Sequence, residues 1–306
     1  MGKLTTAIQL LIHSPLKIIP AFGKNEMLNF IPDKVYLKWI YYIETGQKLN
    51  LVNPTTFNEK LQWLKLYDRN PLYTILADKY AVREYISQII GETHLIPLLG
   101  VYNDVDEIPW NDLPEQFVLK CNHGSGMNII CKNKNDLDIP KACAQLSKWM
   151  TKNAYWGARE WSYKNIVPKV ICEKYMVDES GYELKDYKFF AFNGEVELIQ
   201  VDIDRFSNHR RNLYNLNWEF IDATIRYPND KSILIKKPTC INEMIECAKR
   251  LSLGIPHVRV DFYSIFNYFY FGELTFYHGG GFERFSPNTL NKIMGDKIEL
   301  KHHFSK

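Results

Sequence analysis

Hydrophobic residues recur at two different spacings along the chain, and the change of spacing predicts which elements form. In residues 1 to about 75, apolar positions recur every three or four residues, as in helices with one buried face. Between residues 95 and 275, short apolar runs and apolar–polar alternation predominate, which predicts strands. The order of these elements predicts an α+β fold that begins with a helical region.

Helix signals are strongest in three places. Asn53-Pro-Thr-Thr-Phe57-Asn-Glu59-Lys60 has the hydroxyl-then-glutamate spacing of a capping box and leads into an apolar helical face. Residues 139–164 are rich in aromatic side chains and are predicted to be helical. Cys240–Leu253 is predicted to form an amphipathic helix.

Two predicted strands late in the chain each carry a carboxylate. Apolar and polar residues alternate through Val258–Phe262, and a second apolar run covers Tyr268–Thr275. The short connection Ser264–Asn267 makes this a hairpin, with Asp261 on one arm and Glu273 on the other. Paired carboxylates on adjacent strands suit Mg²⁺, which prefers oxygen ligands. Taken alone, the same pair also fits two surface charges on a half-exposed sheet.

A glycine-rich turn joins two earlier predicted strands, Phe117–Lys120 and Ile129–Cys131. Glycines at positions 124 and 126 let backbone amides approach an anion closely. Lys120 stands at the strand end, where it can contact a phosphate. Neither GxxxxGK[ST] nor a helix-opening GxGxxG is present, so an ordinary hairpin turn is the alternative.

Further candidate chemistry lies between these hairpins. Asn193-Gly194 predicts a tight hairpin turn, and Asp186 and Lys188 fall on one face of the strand before it. A polar loop and a later triple-glycine loop contribute guanidinium groups, which can grip a carboxylate with two parallel hydrogen bonds. These arginines are Arg205, Arg211 and Arg284.

Composition narrows the class of protein. The 306 residues are 46% hydrophobic and 14% aromatic, which is enough for a packed core. A net charge of +3 argues against a nucleic-acid-binding protein. The six cysteines show no CxxC spacing, so we expect reduced thiols in a cytoplasmic protein.

The N-terminal segment Leu4–Phe22 is apolar but interrupted by His13, Lys17 and two prolines, so it is too broken to span a bilayer. Its composition leaves two alternatives. It packs as a helix on its own domain, or it lies as an amphipathic segment on the inner face of the membrane.

Together these segments resemble the ATP-grasp superfamily, and specifically its TupA-like branch, which is associated with bacterial surface-polysaccharide gene clusters. The resemblance covers roughly residues 30–290 and depends on the order and spacing of several motifs. These are the 53–60 segment, Asp78-Lys79-Tyr80, Phe117–Lys120 with His123–Gly126, Glu173-Lys174-Tyr175-Met176, Tyr187-Lys188-Phe189, Arg259-Val-Asp261 and Glu273-Leu-Thr275.

The resemblance implies a domain organisation. A helical N-terminal region, residues 1–75, precedes two α+β subdomains that clasp ATP. The first subdomain, residues 76–175, contains the glycine-rich flap, and the second, residues 176–306, contains the metal-binding hairpin.

The same resemblance implies a role for each motif. Phosphates are bound by Lys79, Lys120 and the flap residues His123, Gly124, Ser125 and Gly126. Adenine is bound at the inter-subdomain hinge Glu173, Lys174, Tyr175 and Met176, and the ribose by Asp178 or Glu179. Mg²⁺ is held by Asp261, Glu273 and Thr275. The catalytic residues are Arg259, Arg211 and Lys188, with Arg259 stabilising charge on the transferred phosphoryl group.

The sequence departs from the superfamily pattern at two points. Thr275 stands where an asparagine is common, and its hydroxyl is a weaker neutral ligand for a second metal ion. A small preceding α/β domain that helps to bind the acceptor is not evident in residues 1–75.

Four functions are compatible with this pattern. The first is an ATP-dependent carboxylate–amine ligase that acts through an acyl phosphate, with a small-molecule, nucleotide-linked or lipid-linked sugar acid and an amine as substrates. The second is a phosphotransferase with a hydroxyl acceptor and Asp186 or Asp202 as base. The third is a glycosyltransferase using Asp202-Ile-Asp204 as a DxD motif, which leaves the lysines, flap and hinge unexplained. The fourth is a non-catalytic binding module.

Overall fold

Two antiparallel sheets organise the chain in a computed structural model that describes residues 18–181, 184–204 and 208–300. The first sheet has the strand order β1-β4-β2-β3. Its strands are β1 (Leu98–Tyr102), β2 (Phe117–Cys121), β3 (Asn128–Cys131) and β4 (Val170–Lys174).

The second sheet has the order β11-β10-β5-β6-β7-β8. Its strands are β5 (Asp186–Phe192), β6 (Glu195–Ile203), β7 (Arg210–Tyr214), β8 (Phe220–Ile221), β10 (Val258–Ile265) and β11 (Tyr268–Thr275). A small additional sheet pairs β9 (Thr224–Ile225) with β12 (Phe285–Ser286).

Helices flank both sheets. They are α1 (Ile18–Lys24), α2 (Asp33–Thr45), α3 (Phe57–Tyr67), α4 (Leu72–Ala77), α5 (Val82–Ile90), α6 (Ile139–Met150), α7 (Tyr155–Ala158), α8 (Ile241–Ser252) and α9 (Asn288–Asp296). The predicted capping box begins α3. The Thr56 side chain accepts from the Glu59 amide at 3.3 Å, and the Glu59 carboxylate accepts from the Thr56 amide at 3.1 Å.

The largest core lies on the six-stranded sheet and includes helices α3, α4 and α5. Phe57 of α3 is fully buried, and its ring packs on Phe190, Phe192 and Phe285 with centroid distances of 5.9–6.3 Å. Leu61, Leu76 and residues of α8 belong to the same core. Helices α3 and α4 therefore pack against the second sheet, whereas α2 contributes to a separate small core.

Three expected elements differ in extent. Residues 139–164 do not form one helix: α6 ends at Met150, and the short helix α7 is capped by Arg159, whose φ of 54° is left-handed and cannot continue an α-helix. The β10–β11 strands extend through Ile265 and from Tyr268, so the connection is shorter than the predicted Ser264–Asn267. The apolar run that starts at Leu95 becomes a strand only at Leu98.

All six cysteines are free thiols, as the spacing predicts. Within the described part of the chain, no helix combines the length and apolarity needed to cross a bilayer. Most of the Leu4–Phe22 segment lies outside the described residues.

Candidate active site

Strand pairing aligns a row of polar side chains across the six-stranded sheet. Asp261 of β10 lies opposite Glu273 of β11 on one side and Lys188 of β5 on the other. Lys188 in turn lies opposite Gln200 of β6. Directly paired residues share a face of the sheet, so the predicted metal ligands and Lys188 occupy one surface.

A bulge shapes this row at its metal-ligand end. Asp261 pairs with Glu273 and the next residue, Phe262, pairs with Phe271, so Gly272 is the extra residue of β11. A Cβ at Gly272 would lie 3.1 Å from the Asp261 carbonyl oxygen and 3.1 Å from the Tyr263 ring. Glycine therefore lets the two carboxylate-bearing strands approach closely.

The Asp261 carboxylate is bound by two cations. Arg259 grips it through Nε to Oδ1 and Nη2 to Oδ2, both at 2.7 Å. Lys188 donates to Asp261 Oδ2 at 2.9 Å and to Asp186 at 2.8 Å. Burial lowers the pKa of Arg259, but the charges of Asp261 and Glu273 outweigh it and raise that pKa. The strands thus hold Asp261 in a fixed, charge-compensated position.

Glu273 and Thr275 complete the candidate metal site. The Thr275 hydroxyl donates to Glu273 Oε1 at 3.2 Å and accepts from Arg259 at 3.1 Å. Burial raises the pKa of Glu273, but Lys79, Arg259 and Lys188 more than compensate and lower it to about 2. The carboxylate therefore stays ionised at neutral pH.

This donor set fits Mg²⁺, because two carboxylates and a hydroxyl are hard oxygen ligands. No group of three or more His, Cys, Asp or Glu side chains suited to a metal occurs among the described residues. Bound substrate phosphates would have to supply further oxygen ligands if Mg²⁺ occupied this position.

The two predicted phosphate lysines come from different elements: Lys79 lies between α4 and α5, and Lys120 lies in β2. Lys79 Nζ donates to the Gly124 carbonyl at 2.5 Å and lies 4.0 Å from Glu273 Oε2. Lys120 pairs with Glu173 at 2.6 Å. The cleft around them is lined by Lys79, Arg83, Leu95, Lys120, Glu173, Phe271 and Gly272. Residues from both sheets therefore meet at the cleft.

The flap is the turn between β2 and β3. Gly126 has φ = 72°, and Ser125 and Gly126 are exposed. The ring nitrogens of His123 lie 3.2 Å from Asn122 Oδ1 and 3.1 Å from the Trp149 carbonyl. His123 is buried and supports the turn, so its contact with nucleotide stays a prediction.

The predicted hinge follows β4. Glu173 is buried and faces Lys120, whereas Lys174 is exposed and its amide bonds to the Pro97 carbonyl at 3.0 Å. Tyr175 and Met176 are half-buried. A neighbouring cleft is lined by Leu99, Pro114, Glu115, Gln116, Lys132, Asn133, Lys174 and Tyr175.

The two candidate ribose ligands lie beyond the hinge. Asp178 is buried and accepts from the Ser180 amide at 2.9 Å and from Lys185 at 3.2 Å. Glu179 is exposed and accepts from the Phe266 amide at 2.5 Å, which ties this loop to the β10–β11 turn. A ribose contact for either residue stays a prediction.

Arg211 belongs to an extension of the polar row. It donates to Asp202 at 2.7 Å and to Glu283 at 3.0 Å. Burial raises the pKa of Asp202, but Arg211 and Lys188 outweigh it and lower that pKa well below the usual range. Asp202 is therefore a weak base, which removes support from its role in the phosphotransferase alternative.

Sequence reasoning missed His278 and Glu283, which connect the catalytic candidates. His278 Nδ1 lies 2.5 Å from Arg259 Nη1, and its Nε2 lies 2.6 Å from Glu283 Oε2. The chain Arg259–His278–Glu283–Arg211 is buried throughout. His278 and Glu283 flank the three consecutive glycines Gly279–Gly281, which are the feature that identifies this loop in the sequence.

Two other arginines are not placed in this cluster. Arg284 is exposed, and its guanidinium reaches the Glu44 carbonyl at 3.5 Å. Arg205 lies outside the described residues. Asp204, the second acid of the DxD match, is exposed, and the first is paired with Arg211.

Two antiparallel sheets, one with Lys120 and a glycine-rich turn and the other with a carboxylate hairpin, line a common cleft, and these features are those of an ATP-grasp protein. A family model described as TupA-like ATPgrasp matches residues 59–299. The chain belongs to this family, which confirms the resemblance and the α+β ATP-grasp fold expected from the sequence.

Solved structures with similar folds include two D-alanine–D-alanine ligases. The Bacillus anthracis enzyme is 17% identical, with 66% of this chain and 57% of that chain covered and a TM-score of 0.38. The Helicobacter pylori enzyme is 15% identical, with 79% and 69% covered and a TM-score of 0.41.

The ATP-grasp ligase PsnB, complexed with a minimal precursor, is 11% identical, with 71% of this chain and 58% of that chain covered and a TM-score of 0.40. This chain thus spans 57% and 58% of the lengths of the Bacillus anthracis ligase and PsnB. A comparison with curated proteins finds no match.

Proposed function

We propose that the protein is an ADP-forming, ATP-dependent carboxylate–amine ligase. The observation that carries the proposal is the cluster of Arg259, Asp261 and Glu273, which faces Lys79 across the cleft. A guanidinium beside two carboxylates, opposite a lysine, is suited to binding a triphosphate and activating its terminal group.

In this proposal, the nucleotide lies in the cleft between the two sheets. Lys79 and Lys120 exchange their present acceptors, the Gly124 carbonyl and Glu173, for phosphate oxygens. Asp261, Glu273 and Thr275 hold Mg²⁺, which when bound neutralises charge on the β- and γ-phosphates. The flap His123–Gly126 covers the phosphates and excludes water.

Adenine lies against the hinge Glu173–Met176, and Asp178 or Glu179 contacts the ribose. The half-buried Tyr175, the exposed Lys174 and the cleft beside them support an adenine position at the end of β4.

The proposed chemistry has two steps. A substrate carboxylate oxygen attacks the γ-phosphorus, the bond to the β-phosphate oxygen breaks, and ADP leaves. The neutral amine nitrogen then attacks the acyl carbon, the C–N bond forms, the C–O bond to phosphate breaks, and the proton lost from nitrogen leaves with phosphate. Arg259 stabilises charge on the transferred phosphoryl group. Lys188 and Arg211 hold the surrounding carboxylates in place.

The association of the TupA-like branch with surface-polysaccharide genes supports a sugar acid as the carboxylate substrate. A uronic acid, free or linked to a nucleotide or lipid, fits this description, as does an amino acid attached to a sugar. The proposal places the enzyme in the cytoplasm, where ATP is available and the six free cysteines stay reduced. Contact of residues 4–22 with the membrane's inner face is retained as a prediction.

The test is ADP release in a panel of uronic acids and amines. A ligase releases ADP and phosphate in a ratio of one to one with amide, and both substrates stimulate the release. ADP formation with a sugar alcohol and no acid, accompanied by a stable phosphorylated product, would instead support the phosphotransferase.

A further inference from the structure

An exposed apolar stripe runs along α2. Val35, Trp39 and Tyr42 are all exposed, and their spacing of four and then three residues places them on one side of the helix. Met27 and Phe30, in the turn that leads into α2, are exposed as well. These five side chains are called the α2 patch below.

The α2 patch concentrates large apolar side chains that proteins normally bury. Of the 18 exposed large hydrophobic residues in the described part of the chain, five fall within residues 27–42. Phe30 is 81% exposed. All seven tryptophans lie in the described ranges, and Trp39 is the only exposed one. An apolar cluster of this kind on the surface marks a site of interaction.

Exposed lysines border the α2 patch. Lys38 lies three residues after Val35 and four before Tyr42, and Lys34 lies one turn before Lys38, so both flank the stripe. Neither has an ion-pair partner among the described residues. The sequence of residues 1–17, which precedes α1, adds two lysines and no acidic residue.

The carboxylates near the α2 patch are mostly neutralised. Asp33 pairs with Arg69 at 2.6 Å and with Arg159 at 3.2 Å. Glu26 accepts from the Asn153 amide at 2.8 Å. Within residues 19–48, Glu44 is the only exposed acid, against four exposed lysines. The outward-facing charge is therefore positive and complements an anionic partner.

The buried side of α2 leads to the active site. Its Tyr41 ring packs edge-on against the Phe282 ring, with centroids 6.4 Å apart. Phe282 follows the triple glycine directly and lies between His278 and Glu283, which belong to the buried chain that reaches Arg259. One helix thus joins the α2 patch to a loop of the active site.

We propose that the α2 patch docks the protein on an anionic phospholipid bilayer, where it acts on a lipid-linked sugar acid. The lysines attract lipid phosphates, and the aromatic side chains enter the headgroup region, where tryptophan and tyrosine are favoured. The choice of the lipid-linked form over the free and nucleotide-linked forms rests on the proposed ligase function. The docking itself does not.

Vesicle flotation tests the docking. Full-length protein is mixed with vesicles of phosphatidylcholine alone or of equal parts phosphatidylcholine and phosphatidylglycerol. Wild type should bind the anionic vesicles, and added salt should weaken the binding. Trp39→Ser should raise the Kd about 10-fold or more, and Lys34→Gln with Lys38→Gln about 10- to 30-fold. The matched control is Leu234→Ser, because Leu234 is 94% exposed and is also followed by exposed lysines.

Brominated phosphatidylcholine reports which surface enters the bilayer, because bromine quenches nearby tryptophans. Quenching should be strong in wild type and lost in Trp39→Phe, which should still bind. Absence of binding to anionic vesicles overturns the proposal. Equal binding by Trp39→Ser and wild type, or unchanged quenching in Trp39→Phe, also overturns it. A dimer that Trp39→Ser converts to a monomer, without vesicle binding, would assign the patch to a second copy instead.

The substrate is tested by hydroxamate formation from ATP, hydroxylamine and a glucuronide. Dodecyl glucuronide in anionic vesicles should react faster than soluble methyl glucuronide, and Trp39→Ser should lose this advantage while keeping the rate with methyl glucuronide. Equal rates with both glucuronides in wild type overturn the lipid-linked substrate alone. Failure with both glucuronides and with free uronic acids overturns the ligase proposal and the substrate, while flotation still decides the docking.

Discussion

Lys188 and Asp261 lie opposite each other on neighbouring strands, and the lysine Nζ donates to Asp261 Oδ2 at 2.9 Å. Both are buried, so this ion pair is protected from solvent screening. Arg259, two residues before Asp261 on β10, binds the same carboxylate. A metal ion that approaches Asp261 therefore meets a carboxylate already oriented by two cations. We therefore expect turnover to be highly sensitive to removal of the Asp261 charge.

Asp261→Asn and Glu273→Gln should each abolish turnover while leaving the fold intact, because each variant removes a carboxylate charge from the proposed metal site. Steady-state ADP release measures the first expectation, and circular dichroism the second. Mg²⁺-dependent ATP affinity should fall as well. Glu246→Gln on the exposed side of α8 is the control. Near-wild-type turnover in both site variants would exclude the hairpin as the metal site.

Lys79→Ala and Lys120→Ala should each weaken ATP binding. Each variant removes a charge-assisted phosphate contact worth ~1.5–3 kcal/mol, so isothermal titration calorimetry should show a rise in Kd of about 10-fold or more. Exposed Lys236→Ala is the control for loss of a positive charge. A nucleotide-bound crystal structure with both ammonium groups beyond hydrogen-bond distance of every phosphate would contradict the assignment.

The parts of the site that the sequence predicts are the local ones. Strand alternation places Asp261 and Glu273 on facing arms of one hairpin, and a spacing of two residues places Asp186 and Lys188 on one face. The turn glycines likewise identify the flap. In each case the relevant residues lie close together in sequence.

The unpredicted contacts join residues far apart in the chain. Lys65 reaches Gly280 across 215 positions, which no local periodicity encodes. The break at Arg159 has a similar cause. Its guanidinium bonds to the Leu28 carbonyl and packs over the Tyr36 ring, and these tertiary contacts stabilise a left-handed residue inside a segment of helical pattern.

Buried histidines predict how stability depends on pH. His257 is packed among aromatic rings, and burial lowers its pKa to about 3, whereas an unfolded histidine titrates near 6.5. The unfolded state therefore binds more protons below pH 6.5. The stability is fully present above that pH and is lost as pH falls toward 3.

The free energy of unfolding should fall by up to ~1.4 kcal/mol per pH unit for each such histidine between pH 6 and 5. Urea denaturation at several pH values in this window measures the slope of the free energy of unfolding against pH. In His257→Gln, this slope should correspond to about one proton fewer taken up on unfolding. An identical slope in the variant and in wild type would show that His257 is protonated in the folded protein.

His278→Ala should reduce both stability and turnover. The substitution removes the ring between Arg259 and Glu283, leaving two buried charged groups each without one partner. An unsatisfied buried polar group costs ~1–3 kcal/mol, so urea denaturation should show a loss of at least that size. His278→Asn restores one contact and should recover part of the stability. Normal kcat in a folded His278→Ala protein would show that the network does not position Arg259.

The chemistry of the ligase predicts where isotope labels go. Because Asp261, Glu273 and Arg259 form the end of the cleft that activates the terminal phosphoryl group, the nucleotide product should be ADP and never AMP. The carboxylate oxygen that attacks phosphorus leaves with phosphate when the amine displaces it. With substrate carrying ¹⁸O in both carboxylate positions, one label should appear in the released phosphate.

Mass spectrometry of phosphate and amide distinguishes the alternatives. Recovery of the second label in AMP or in water instead of in phosphate, or AMP and pyrophosphate as products, would exclude an acyl phosphate. A stable phosphate ester would support the phosphotransferase.

The flap adds a further expectation, because acyl phosphates hydrolyse when water reaches them. Gly126 adopts φ = 72°, so Gly126→Val should strain the turn. With the carboxylate substrate present and amine absent, this variant should hydrolyse ATP to ADP faster than wild type. Water then opens the acyl phosphate and regenerates the carboxylate, so one label should again appear in phosphate.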